Sequence, residues 1–252
     1  MEESVGDTTF GSQLDDGTDA GARAPSSPVR YPADLLGGNS QWKLTLPISK
    51  GEKAVEVKPP KFATFSHAKY FHLNHEKDGV VFRTYHGGEH TPRSENPRTE
   101  LRERFDDDPE GKWAWNSTTN CSMEVDLQVN RLTKVKPHTV VAQIHGGKLD
   151  DIVVWRVEGT KLWLTDGNNP NRFLVDGNLK LLKRFRLRYE LVDGICHFYY
   201  DGKKLSYTKR AADPECYFKA GLYLQSNKKT APRESTSEYS EVVVYSAKVT
   251  HA

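Results

Sequence analysis

A chain of 252 residues with 36% hydrophobic and 10% aromatic residues is long enough for one large all-β domain, and this composition suits sheets with one wet face better than a helix bundle. It contains no run of 18 apolar residues, which excludes a membrane-spanning helix, and its start has neither the basic nor the apolar region of a signal peptide. The net charge of +2 hides an asymmetry: residues 1–29 hold six acids and one base, so residues 30–252 carry 35 bases against 28 acids, a balance that suits a polyanionic partner.

In chain order, residues 1–29 are rich in Gly, Asp, Ser, Thr and Pro and read as a disordered leader, with residues 30–252 as a single domain. Tyr31 to Gly38 predicts a short helical turn, followed by a first strand from Trp42 to Leu46 that Pro47 ends, with Trp42 in the core. Phe71-His72-Leu73 and Gly79 to Tyr85 follow as strand segments. His86 to Pro97, rich in Gly, His, Pro and Asn, is a loop placed to overhang whatever follows it, and His86 and His90 lie in it as flexible residues rather than as a metal pair. Trp113-Ala114-Trp115 and Met123 to Val129 read as strands. Ile152 to Glu158 and Lys161 to Thr165 form a hairpin around Gly159, and Asp166 to Gly177 is a second lid candidate. From Leu179 the chain is a meander, Phe185 to Leu191, Ile195 to Tyr200 and Lys204 to Tyr207, with Asp193-Gly194 and Asp201-Gly202 as its turns. Ser226 to Thr236 is a basic polar loop and Ser240 to Val249 closes the sheet. Many short strands at this spacing indicate a sandwich or jelly roll.

Three cysteines, Cys121, Cys196 and Cys216, cannot all pair within one chain, and none has metal-site spacing. Cys196 and Cys216 flank strands that could be neighbours, which would allow one disulfide. Asn116-Ser117-Thr118 and Asn120-Cys121-Ser122 fit the glycosylation acceptor pattern, a frequent chance match that points to a secreted context.

Three strands carry polar rows. In Tyr217 to Gln225 every even position is apolar, so Phe218, Ala220, Leu222 and Leu224 build a core face while Tyr217, Lys219, Tyr223 and Gln225 build the other, with Gly221 leaving a gap. Arg98 to Phe105 places Arg98, Glu100, Arg102 and Arg104 opposite Leu101 and Phe105. In Val140 to His145, Gln143 and His145 share one face and Val140, Ala142 and Ile144 the other. A single polar row is ordinary solvated sheet, and a lone Tyr or His is usually structural; three rows together are not idle surface.

In this order and at these separations, RTELRE, QIH and YFKAGLYLQ resemble the three signature blocks of the alginate lyases of polysaccharide lyase family 7. With Trp42 to Pro47 at the opening and Val242 to Ser246 at the close, the resemblance spans roughly residues 30 to 250. One position departs: Leu224 stands where the family often has Asn, and because alternation turns it to the core, little consequence is expected. The resemblance implies an all-β jelly-roll β-sandwich with a concave substrate-binding groove. It also implies a secreted, monomeric enzyme acting on alginate, an anionic polysaccharide, without metal or cofactor and with no nucleic-acid or membrane partner.

A 1,4-linked uronate polymer is cut without water by β-elimination, in which the C5 proton is removed and the glycosidic oxygen at C4 is expelled. That proton sits beside a charged carboxylate and is hardly acidic. A site must therefore neutralise the carboxylate, supply a base and protonate the leaving oxygen. Arg98 can grip the carboxylate at two points, Gln143 can hydrogen-bond the same group, and His145 and Tyr223 are candidates for base and acid. The resemblance implies Arg98, Gln143, His145 and Tyr223 as the catalytic four, with Glu100, Arg102, Lys219 and Gln225 as substrate-binding residues. Within the family, Ile in the QIH block accompanies activity on guluronate-containing polymer, so Ile144 points there. Two alternatives stand: a non-catalytic carbohydrate-binding module, and a jelly-roll glycoside hydrolase, for which Glu124-Val125-Asp126-Leu127-Gln128 lacks the last of the required acids.

Overall fold

The positions that alternate apolar in the sequence are, strand after strand, the ones without solvent exposure in the computed structural model. It describes residues 28–37, 41–50, 53–92, 94–104, 119–147, 151–166, 172–211 and 213–252. The residues before 28, Trp113 to Trp115 and the Asn116 acceptor lie outside the described residues. The first half of the chain contributes β1 (Trp42–Lys50), β2 (Lys53–Val57), β3 (Phe71–Leu73), β4 (Val80–Tyr85), β5 (Arg98–Glu103), β6 (Cys121–Arg131) and β7 (His138–Gly146). The second half contributes β8 (Asp151–Glu158), β9 (Lys161–Thr165), β10 (Arg172–Asp176), β11 (Arg184–Val192), β12 (Ile195–Tyr200), β13 (Lys203–Arg210), β14 (Cys216–Leu224) and β15 (Tyr239–His251). The only helical elements among the described residues are two 3-10 turns, Pro32–Leu35 and Lys61–Thr64, the first where a helical turn was predicted.

Two antiparallel sheets stack as the predicted jelly-roll sandwich. One has eight strands in the order β10-β9-β8-β7-β14-β5-β1-β2, and the other has seven, β13-β12-β11-β6-β15-β4-β3. Their inner faces interlock through Trp42, Leu44, Leu101, Phe218, Ala220, Leu222 and Leu224 from the first sheet and Phe82, Met123, Leu127, Tyr189, Phe198 and Val242 from the second, each at 1% exposure or less. A buried side chain of this size stabilises the fold by about 1.5–3 kcal/mol through removal of apolar area from water. Both Asp-Gly turns have positive φ at both central residues, the geometry that matches hairpin twist.

Several expectations are corrected. The first strand does not stop at Pro47 but runs to Lys50, because a register shift between Leu46 and Ser49 forms a bulge where a residue without an N–H can sit. In β7 the alternation slips: irregular pairing at Val140–Ala142 turns Val141 into the core cluster beside Ala142 and Ile144, and leaves Val140 out of it. The second lid candidate is interrupted by β10, which pairs with β9, and Phe173 stacks on Tyr207 at 5.3 Å. Residues 167–171 of that segment lie outside the described residues. All three cysteines are free and buried, and Cys196 and Cys216 lie on strands of opposite sheets rather than on neighbours. His86 is no flexible loop residue: it is 2% exposed, and its Nδ1 lies 2.9 Å from Ser226 Oγ. At Gly221 (φ +125°) the missing side chain serves the core as well as the outer face, because a Cβ there would lie 2.7 Å from Phe82 Cδ1.

Candidate active site

Strand β14 lies between β7 and β5, and that neighbourhood assembles the three predicted rows on the outer face of the eight-stranded sheet. Cross-strand register sets out the pattern. Asp151, His145 and Tyr217 lie side by side on β8, β7 and β14. Gln143, Lys219, Arg102 and Lys43 form the next row, and Gly221, Glu100 and Thr45 the one after it. Tyr223 then pairs with Arg98 on one side and Val140 on the other.

The centre of this face is a buried carboxylate. Glu100, 2% exposed, receives Lys219 Nζ at 2.5 Å, Arg98 Nη1 at 3.2 Å and Gln143 Nε2 at 2.5 Å. Burial alone would drive its carboxyl towards the neutral acid, but Lys219 and Arg98 together hold it below the usual carboxylate range. Burial, with Arg98 nearby, pulls the Lys219 ammonium down to about 8. Arg98 also lies over the Tyr223 ring, with Cζ 3.8 Å from its centroid, and its Nε has no hydrogen-bond partner among the described residues. Gln143 Oε1 is likewise buried and unpaired. An arginine donor and an amide that are desolvated but not saturated are what an incoming carboxylate and its neighbouring hydroxyls would satisfy.

His145 and Tyr223 stand at opposite ends of this cluster. His145 pairs with Tyr217 on β14, six residues along the strand from Tyr223, so the two residues flank the Glu100 cluster. Burial, followed by the charge of Lys219, holds the His145 imidazole below its ordinary range, against the pull of Asp151, the Gly146 carbonyl and Glu100. It is therefore neutral near pH 7, the form a base requires. Tyr223 Oη lies 2.9 Å from Ser94 Oγ, so the loop from His86 to Pro97 does reach over the arginine row, as its position in the sequence predicted.

Of the remaining predicted residues, Arg102 is half-buried, its guanidinium 3.9 Å over the Tyr217 ring and without an ion pair among the described residues. Gln225 lies just past the end of β14, half-buried, with Nε2 unpaired. Arg104 lies just past the end of β5, and Phe105 is outside the described residues. Leu224 and Ile144 are fully buried on the core side, as alternation required.

Sequence reasoning missed Asp151, whose position opposite His145 depends on β7–β8 pairing and whose carboxyl burial pushes up. It also missed Lys43, although the alternation of Trp42-Lys43-Leu44-Thr45 was a usable signal: Lys43 is 4% exposed beside Arg102 and bonds Glu56 at 2.8 Å. Glu103 was overlooked on the core face of β5, where it is fully buried, accepts the Phe218 N–H at 2.9 Å and meets His251 Nε2 at 2.6 Å. A cleft of about 570 Å³ opens beyond the loop, lined by Lys69, Tyr70, Tyr85 and Glu89 among others. It contains none of the row residues, and the charge lies on the open sheet face instead.

The glycosidase alternative loses its geometry. Glu124, Asp126 and Gln128 lie on β6 in the other sheet, Asp126 is clamped by Arg184 at 2.6 and 2.8 Å, and Gln128 bonds Asn130.

The outer sheet face of this jelly roll gathers buried cations around an unpaired guanidinium donor, Arg98 Nε, and an unpaired amide acceptor, Gln143 Oε1, which suits an acidic, hydroxyl-bearing polymer. The sequence profile of the alginate lyase family matches residues 33–251. An alginate lyase from Corynebacterium sp. shares 38% identity over 90% of this chain and all of that one, with a TM-score of 0.82. Alginate lyase AlgAT5 from polysaccharide lyase family 7 shares 36% over 88% of this chain and 99% of that one, with a TM-score of 0.80. The complex of the family-7 lyase A1-II′ with the substrate GGMG has the same fold at 22% identity over 89% of this chain and 98% of that one, with a TM-score of 0.72. A search of curated proteins found no match. The chain belongs to the alginate lyase family and is a polysaccharide lyase.

Proposed function

We propose that the protein cleaves alginate within the chain by β-elimination, with a preference for guluronate-containing blocks, and that Arg98, Gln143, His145 and Tyr223 carry the reaction. The observation that carries this reading is the placement of a neutral imidazole and a phenol at opposite ends of the Glu100 cluster. Arg98 and Gln143 take the uronate carboxylate and share the charge that builds on it as the C5 proton leaves. His145 Nε2 accepts that proton, the C5–H pair becomes the C4=C5 double bond, the C4–O bond breaks, and Tyr223 gives its proton to the departing oxygen. Glu100, Lys219, Arg102 and Gln225 hold the polymer and the first-line donors in place.

Stereochemistry supports the guluronate preference. Mannuronate and guluronate are C5 epimers, so the proton and the leaving oxygen lie on one side of the ring in the first and on opposite sides in the second. A single tyrosine can serve both steps only in the first case. The second needs a separate base and acid, roles that His145 and Tyr223, on different strands, can divide. The GGMG bound by A1-II′ is consistent with this reading. Incubating the protein with separated polyguluronate and polymannuronate, and following the ultraviolet absorbance of the unsaturated product, tests it. His145→Ala is expected to lose guluronate cleavage more severely than mannuronate cleavage. A parent enzyme that prefers pure polymannuronate, or a mutant in which both activities fall in proportion, would sink the preference.

We further propose that the catalytic domain is residues 30–252, secreted and active as a monomer. A chain starting at residue 30 should match the full chain in melting temperature and turnover. A melting point lower by more than a few degrees would show that the leader packs on the domain.

A further inference from the structure

Tyr217 lies on the same strand face as Tyr223, but its contacts are with His145 rather than with the arginine row. Its Oη is 2.8 Å from His145 Nδ1, the two rings stack with centroids 4.9 Å apart and planes 16° from parallel, and Arg102 lies 3.9 Å over the phenol ring. His145 Nδ1 is also 2.7 Å from the Gly146 carbonyl oxygen. A carbonyl oxygen can only accept, so the proton of the neutral imidazole must be on Nδ1, directed at Gly146 O with Tyr217 Oη as a second acceptor. The lone pair is then left on Nε2, the nitrogen with no protein partner among the described residues. Burial pushes the Tyr217 phenol up to about 12, so it remains an uncharged acceptor throughout the working range.

We propose that Tyr217 is a positioning residue: by stacking on the His145 ring and accepting from Nδ1–H it fixes the tautomer and the aim of Nε2 at the substrate C5 proton. The proposal rests on the reading of His145 as the base. The charged and titratable groups around the pair are Lys219 on β14, Glu100, Arg98 and Arg102 on β5, and Asp151 on β8. None of them donates to or accepts from Nδ1 among the described residues, so no other side chain can replace the phenol.

The test compares Tyr217→Phe and His145→Ala with the parent. In Tyr217→Phe, kcat on polyguluronate should fall about tenfold or more while KM stays within about threefold, because a loosened base costs rate rather than polymer binding. The acidic limb of the kcat/KM profile should move to lower pH: an imidazolium N–H is a stronger donor than a neutral one, so losing an acceptor destabilises the charged form more. A merely structural role would lower the melting temperature and leave that limb in place. An inactive His145→Ala together with unchanged kcat and an unchanged limb in Tyr217→Phe overturns the proposal alone. A fully active His145→Ala overturns the base assignment instead. Should Tyr217→Phe fail to fold, nitrogen NMR of the imidazole in the parent decides: a proton on Nδ1 supports the proposal, and a proton on Nε2 overturns it.

Discussion

The outer faces of the two sheets use the same residue types to opposite ends. On the seven-stranded sheet, Arg83, Arg131, Arg184 and Arg188 pair with Glu241, Glu238, Asp126 and Glu190, and they lie over Tyr239, Tyr245 and Tyr199. On the eight-stranded sheet, Arg98 and Arg102 lie over Tyr223 and Tyr217 in the same way. An arginine stacked on a tyrosine therefore does not mark a site. Solvation and charge balance do. Arg184 keeps half its side chain in water with a carboxylate of its own, whereas Arg98 and Lys219 are 11% and 7% exposed and share the single carboxylate of Glu100. The first face is balanced, and the second holds desolvated positive charge that a polyanion can satisfy.

The sharpest way to break this comparison is to remove one proton from the groove face. Tyr223→Phe deletes only the hydroxyl, and turnover should drop by about 10²-fold or more with polymer binding and melting temperature nearly intact, as expected for loss of a proton-transfer group. Turnover within threefold of the parent would remove Tyr223 from the mechanism.

Arg98 tests whether specific geometry or general charge matters. Arg98→Lys should lose nearly as much activity as Arg98→Ala, since an ammonium keeps the charge but not the planar two-point grip. Recovery of most activity in the lysine variant would mean that Arg98 contributes only field.

Stability should separate the faces in the same experiment. Glu100→Gln leaves Lys219 and Arg98 buried without the carboxylate that both of them bond and should cost about 3–5 kcal/mol in denaturant unfolding. Arg184→Ala, on the exposed pair, should cost under about 1 kcal/mol. Equal losses would show that burial does not distinguish the two faces.

The smallest effect is on pH. His145 is held below the ordinary imidazole value of about 6.5, so activity should persist on acidification to below that value before the base is protonated. By linkage, a depressed imidazole stabilises the fold above its unfolded value, and this contribution is lost as pH falls through the folded one. On the alkaline side, Lys219 loses its charge near 8, and activity should decline there. Lys219→Arg should move that limb upward, and a limb that stays in place would exclude Lys219 as its source.

Alternation along the chain was enough to place nearly every described strand and to decide which side chains of β5, β7 and β14 face outward, because a period of two is a local property of extended backbone. The outward facing of Arg98, Gln143, His145 and Tyr223 was legible for that reason, while their selection as the candidate catalytic four rested on the resemblance of the three blocks to the family. Bulges were not: Pro47 and Val140 to Ala142 shift register through pairing with β2, β8 and β14, which no local pattern records. The partners Asp151 and Lys43 became visible only when the sheet order set β8 beside β7 and β1 beside β5. Glu103 remained hidden because its acceptance of the Phe218 N–H and its contact with His251 join positions more than a hundred residues apart.

What the sequence determined by itself was therefore the set of strands, their inner and outer faces and the residue types offered to a substrate. The tertiary structure alone decided which rows adjoin and how dry they are. Strand adjacency is fixed by packing two whole layers; the neutral His145 and the lowered Lys219 depend on desolvation, and the charged Glu100 on Lys219 and Arg98 being brought beside it, all of which exist only once those layers have assembled.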